Sequence, residues 1–215
     1  MDKLYDKPIK PVYALIGILI LALGFMNLTR GYIIVIAQSS LAITGLAAFG
    51  ITYGLDSIKM LFNRPIKPVK NFLIFLFISF VTSFVIGMIL INVLKLNLTA
   101  NPVIENIPWI KLPMMLLGEE LISFFVFFLI ASLLRNHSKK VLFATIGSAL
   151  VFALLHIPTY WNGSFLLTLI HVILLQGVAR LIFNTAGIKS NTILVPWLIH
   201  FAFDALNFIL IQSLS

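Results

Sequence analysis

The sequence predicts an all-α, polytopic transmembrane helix bundle of about seven spans, with a polar site within the bundle. Of its 215 residues 60% are hydrophobic and only 10% are charged, against about 25% charged in soluble domains. The mean hydropathy is +1.09, more apolar surface than a soluble globule of this size can hide. The apolar residues also fall into seven long runs with turn residues between them. Soluble enzymes, nucleic-acid-binding modules and secreted scaffolds are thereby excluded. The chain has no cysteine, which removes disulfides, thiolate metal ligands and a cysteine nucleophile and leaves the redox compartment open.

A span needs about 20 mostly apolar residues at 1.5 Å rise each. The runs are 12–28, 32–55, 72–94, 112–134, 141–157, 165–183 and 192–214. The first has the look of a signal peptide, but it is long, lacks a small-residue cleavage site and precedes six more, so it reads as a retained span. Thr29-Arg30-Gly31 closes it, and Asn63-Arg64-Pro65 follows the second run. Asn101-Pro102 precedes the fourth run, and Arg135-Asn136-His137-Ser138 separates it from the fifth. The fifth is short, and its His156-Ile157-Pro158 end reads as a cavity edge. Pro158 to Gly163 and Gly187 to Asn191 are the remaining turns. No repeat or linker interrupts the chain, so residues 1–215 read as a single membrane domain.

Basic residues set an expected orientation. Twelve of the fifteen fall in the N-terminal segment and loops two, four and six, counting Arg180 and Lys189 with the last; three fall in loops one and three. The positive-inside rule then puts the N-terminus of this multi-pass cell-membrane protein in the cytoplasm. The net charge of +8 is explained by that bias, without a nucleic acid or other anionic partner beyond the lipid bilayer.

Asp2, Asp6, Asp56 and Glu105 lie in loops or termini, whereas Glu119, Glu120 and Asp204 lie inside apolar runs, as do His156, His171 and His200. A charge at mid-membrane costs roughly 2.5–3.5 kcal/mol on insertion scales, so such residues mark a site or pair across helices. His200 and Asp204 are four apart and share a helical face, as do Phe152 and His156. Glu119 and Glu120 are adjacent, about 100° apart around a helix, so only one faces a common point directly. Counted from the run ends, Glu119, His156 and His200 reach similar depths.

A carboxylate withdrawn from water among apolar helices can serve as general base toward a water, and imidazoles can orient that water, bind a metal or donate to an oxyanion. Peptide hydrolysis uses all of these; a proton or ion relay needs similar residues without a nucleophilic water. The chain lacks a Gly-x-Ser-Gly turn and a His-Glu-x-x-His zinc helix, and it has one membrane aspartate where an aspartyl dyad needs two. Among protease chemistries, a glutamate–histidine site assembled from separate helices remains. A transporter would show paired broken helices or inverted halves, which the sequence lacks.

Three motifs in order, Glu119-Glu120, Phe152-Ala-Leu-Leu-His156 and His200-Phe-Ala-Phe-Asp204, resemble those of the CPBP family of intramembrane proteases (CAAX proteases and bacteriocin-processing enzymes, also called Abi). The resemblance covers residues 112–208, the expected catalytic core. It implies an endopeptidase acting on a peptide or membrane-protein substrate, in which Glu119 activates the water with His156. His200 and Asp204 would steady the oxyanion or complete a metal site, and Glu120 would support them. It leaves open zinc, on His156, His200 and Glu119, or a metal-free glutamate mechanism. One position departs: the family pattern Glu-Glu-x-x-x-Arg has Phe124 where the arginine belongs. That leaves a variant active site or a non-catalytic homologue, acting in bacteriocin immunity or as a regulatory partner. CAAX processing is also cytoplasmic, while the loop charges put the histidines nearer the outer leaflet; a deep cavity open to the cytoplasm, or a different span count, would reconcile the two.

Other residues read as structural. His137 is a solvated loop residue, and His171 and Gln176 suit a helix–helix hydrogen bond. Trp109, Tyr160 and Trp161 read as interfacial anchors. The Phe124–Phe128 stretch is lipid-facing or packing surface, and the Asn97-Leu98-Thr99 triplet carries no weight without a secretory context.

Overall fold

The computed structural model describes residues 1–96, 98 and 109–214, with the backbone alone at 2 and 210–214. Glu105, the Asn101-Pro102 turn and the Asn97-Leu98-Thr99 triplet as a whole lie outside the described residues. Those described form helices and no strand. In chain order they are α1 (Pro11–Arg30), α2 (Ala37–Tyr53), a short α3 (Asp56–Leu61), α4 (Pro68–Asn92), α5 (Leu112–Leu133) and α6 (Lys140–Leu155). Then come α7 (Phe165–Val172), a single π-helical turn (Ile173–Gly177), α8 (Val178–Ser190) and α9 (Leu194–Leu214).

Five helical stretches are long and apolar enough to cross a membrane: Pro11–Arg30, Ile34–Tyr53, Pro68–Asn92, Leu112–Leu133 and Phe165–Ser190. Lys140–Leu155 and Leu194–Ile209 are shorter apolar helices. Together they correspond to the seven expected runs. The sixth is longer than expected, because α7, the π turn and α8 run on to Ser190. The expected turn at Gly187–Asn191 shrinks to its last residue, Asn191, whose left-handed backbone (φ 55°) ends the helix. Prolines in the first turn open α1, α4 and α5, where no backbone N–H is lost.

α5 is the central helix. Two thirds of its spanning window (67%) is buried, against 17% for α4, and it packs on α2, α6 and α9. Phe124, Phe125, Phe127 and Phe128 are fully buried; Phe128 stacks on Tyr5 and meets Tyr53 edge-on, and Phe125 meets Phe49 edge-on, so the Phe124–Phe128 stretch is core rather than lipid surface. A second apolar cluster of Phe75, Phe183, Ala186, Val195 and Ile199 joins α4, α8 and α9.

Lipid tails are as apolar as leucine, so helix association relies on close contact and on hydrogen bonds between helices. Thr52 Oγ1 donates to Tyr13 O (3.0 Å), Asn71 Nδ2 to Ser190 Oγ (3.1 Å) and Trp197 Nε1 to Pro113 O (2.9 Å). The last ties the start of α5 to α9. Gly118 lets α5 approach the backbone of α2: a Cβ there would stand 2.7 Å from the Ala42 backbone nitrogen. Gly118→Ala should therefore lower stability by about 1–3 kcal/mol, read as a fall in Tm of the purified protein. Gly87→Ala, with nothing within 4 Å of the new methyl, should leave Tm unchanged or raise it.

Candidate active site

Adjacent residues on α5 point in different directions, and one imidazole reaches both. His200 Nδ1 donates to Glu120 Oε1 at 2.9 Å, while His200 Nε2 lies 3.8 Å from Glu119 Oε2. The two ring nitrogens diverge by enough to span the 100° step between the glutamates, so both belong to the cluster, where the sequence suggested one. Asp204, one turn further along α9, brings Oδ2 to 3.8 Å from His200 Nε2. Glu119 and Asp204 thus face the same nitrogen, and their side chains keep 17% and 13% of their surface exposed, whereas Glu120 keeps none.

Glu120 is held by a partner that, by its place in the sequence, counts among the loop charges. Arg180, on α8, donates from Nη1 to Glu120 Oε1 (2.7 Å) and from Nη2 to Oε2 (2.6 Å). Both side chains are fully buried. This two-pronged geometry fits a planar guanidinium to a planar carboxylate and is among the stronger charge-assisted pairs. The guanidinium also lies over the rings of Phe124 (5.9 Å), Phe152 (5.2 Å) and Phe183 (5.1 Å), one from each of α5, α6 and α8. Phe124, the residue in the motif's arginine position, forms part of the aromatic seat for an arginine delivered from another helix. The sequence carried a signal for this: an arginine within the 165–183 run bears the same insertion cost as the glutamates.

His156 caps the end of α6, where its Nδ1 donates to Phe152 O at 2.8 Å. That bond fixes the tautomer and leaves Nε2 free to accept a proton. Its ring packs on Phe152 (centroids 4.5 Å apart) and lies within electrostatic reach of His200 and Arg180. Behind the cluster, Asn184 Nδ2 donates to Ser148 Oγ (2.8 Å) and Ser123 Oγ donates to Asn184 Oδ1 (3.4 Å), linking α8, α6 and α5. Asn184 is one turn from Arg180 on the same helical face.

Among the residues set aside, His137 is exposed in its loop. Trp109 and Trp161 are about half exposed, at 45% and 51%. Tyr160 is not an interfacial anchor, being 4% exposed, because its ring packs between helices. Gln176 makes the cross-segment hydrogen bond expected of it, donating to Tyr160 Oη at 3.0 Å.

Among the described residues no group of three or more histidine, aspartate or glutamate side chains is arranged to hold a metal ion. Arg180 takes both Glu120 oxygens, and the Nδ1 atoms of His200 and His156 are engaged. Those bonds leave Nε2 of both histidines and the Glu119 carboxylate as the donors that a zinc ion on His156, His200 and Glu119 would use.

Fold and site define a polytopic helical membrane protein with an acid–histidine cluster inside its bundle. The family model described as type II CAAX prenyl endopeptidase Rce1-like matches residues 94–206, just over half of the chain. The chain belongs to that family, which falls within CPBP, and at family level it is an intramembrane CAAX-type endopeptidase. No curated protein and no solved structure matches it.

Arg180→Met leaves the Glu120 carboxylate buried without its cation, and should lower stability by about 3–5 kcal/mol. Arg180→Lys keeps the charge but loses the fork and should fall between the two. Denaturant unfolding of the purified variants measures both.

Proposed function

We propose that the cluster hydrolyses a peptide bond, with Glu119 as general base and no metal. The observation supporting this is the unequal treatment of two neighbouring carboxylates. Glu120 has both oxygens bound by Arg180 and cannot take a proton from water without breaking that pair. Glu119 has no lysine or arginine partner among the described residues, is partly exposed, and shares His200 Nε2 with Asp204.

Glu119 takes a proton from a water, and the hydroxide oxygen forms a bond to the scissile carbonyl carbon. The carbonyl oxygen becomes an oxyanion. His200, protonated and anchored through Nδ1 by Glu120, donates to it from Nε2, with the Asp204 carboxylate beside that nitrogen favouring the protonated ring. His156, its tautomer set by Phe152 O, accepts from the attacking water at Nε2 and helps place it. When the C–N bond breaks, the proton on Glu119 passes to the leaving amine and regenerates the base. Arg180 and Glu120 touch no reacting atom; they hold His200 in place.

The reading as a non-catalytic homologue drew on the missing motif arginine, and Arg180 supplies that cation from α8. Burial of Arg180 also removes one residue from the loop count. Eleven basic residues against three still favour a cytoplasmic N-terminus.

The test is cleavage of an internally quenched, farnesylated CAAX peptide by the purified protein in proteoliposomes. Glu119→Gln should lower kcat by at least about 1,000-fold with Tm preserved, as expected when the base of a water-activating site is lost. Activity should survive 1,10-phenanthroline. Retained turnover in Glu119→Gln would refute the general base, and loss of turnover on chelation, restored by zinc, would refute the metal-free mechanism.

A further inference from the structure

The π turn between α7 and α8 has a local consequence. In an α-helix, positions five apart point about 140° away from each other. A π turn closes i to i+5 and brings such positions onto one face. Here His171 and Gln176, five apart across that turn, both reach Tyr160. The His171 and Tyr160 rings lie 4.8 Å apart, and Gln176 Nε2 donates to Tyr160 Oη at 3.0 Å.

Tyr160 in turn faces the reaction site. Its ring is stacked on that of His156 (centroids 6.1 Å, interplanar angle 27°), and its backbone N–H donates to His156 O at 3.1 Å. It is close enough to Glu119 and Asp204 for their charges to act on its hydroxyl. Because Gln176 occupies a lone pair of Oη, the hydroxyl's own proton is left to donate, and no acceptor takes it among the described residues. A buried tyrosine hydroxyl normally donates to a partner; this one is held with its proton unused, on a ring stacked against His156.

We propose that Tyr160 is a further catalytic residue, whose hydroxyl, aimed by Gln176 from the π turn, donates a hydrogen bond to the oxygen that becomes the oxyanion. No proton is transferred. The hydroxyl complements His200 Nε2 from the α6–α7 side of the site, so the developing charge meets donors from two directions. The inference rests on the hydrolytic reading above, with Glu119 as base.

The experiment compares the full-length protein with its Tyr160→Phe, Gln176→Leu and Glu119→Gln variants in proteoliposomes, using the same quenched farnesylated peptide and measuring kcat, KM and Tm. Tyr160→Phe keeps the ring stacked on His156 and removes only the hydroxyl. Its kcat should fall about 100-fold, the usual loss for one oxyanion donor, with KM within about two-fold and Tm unchanged. Gln176→Leu leaves the tyrosine in place but unaimed, and its kcat should fall roughly ten-fold. A Tyr160→Phe kcat within two-fold of the parent, with Glu119→Gln inactive, would overturn the role of Tyr160 and leave the hydrolytic reading standing. A kcat loss matched by a fall in Tm would also overturn it, as packing alone. Full turnover by Glu119→Gln would overturn both readings.

Discussion

Two adjacent glutamates in the most buried of the five long spans would each be costly to desolvate, and the molecule is organised around how that cost is met. One guanidinium answers one carboxylate. Arg180 and Glu120 form a fully buried, two-pronged pair, and each is tolerable in that interior because of the other. The pair joins α5 to α8. It also fixes His200, because Glu120 Oε1 receives both Arg180 Nη1 and His200 Nδ1. The placement of α9 against α5 is therefore coupled to a charge on α8.

Glu119 stands one residue away without such an answer. Its neighbours are a histidine nitrogen and another carboxylate, an arrangement suited to exchanging a proton rather than holding one ion pair. Side by side on one helix stand a carboxylate held by a buried cation and one without a lysine or arginine partner among the described residues. The aromatic rings around Arg180 contribute in the same direction, since Phe124, Phe152 and Phe183 give the cation a low-polarity seat that favours its pairing with Glu120 over hydration.

Much of this was legible without coordinates. Glu119, His200 and Asp204 betrayed themselves because an ionisable residue in an apolar run is expensive wherever it ends up. The seven runs followed from length and hydropathy. Arg180 and Tyr160 were misread for one reason: each lay near the end of an apolar run, where a lysine, an arginine or an aromatic residue usually serves as a charge or anchor at the membrane surface. Whether such a residue faces the lipid boundary or the bundle depends on where the helix continues, and α8 runs on to Ser190.

The sequence alone determined that the chain is a helical membrane bundle and which acidic and imidazole groups lie inside it, since composition and the penalty for burying charge are properties of residues in order. Tertiary structure decided which cation serves which carboxylate. An arginine missing from α5 was supplied by α8, sixty residues beyond the Glu120 it pairs with, and a π turn aligned Gln176 with a tyrosine on another segment. Both are matters of which helix faces stand opposite one another, and a one-dimensional pattern records spacing along a helix but not the partner across from it.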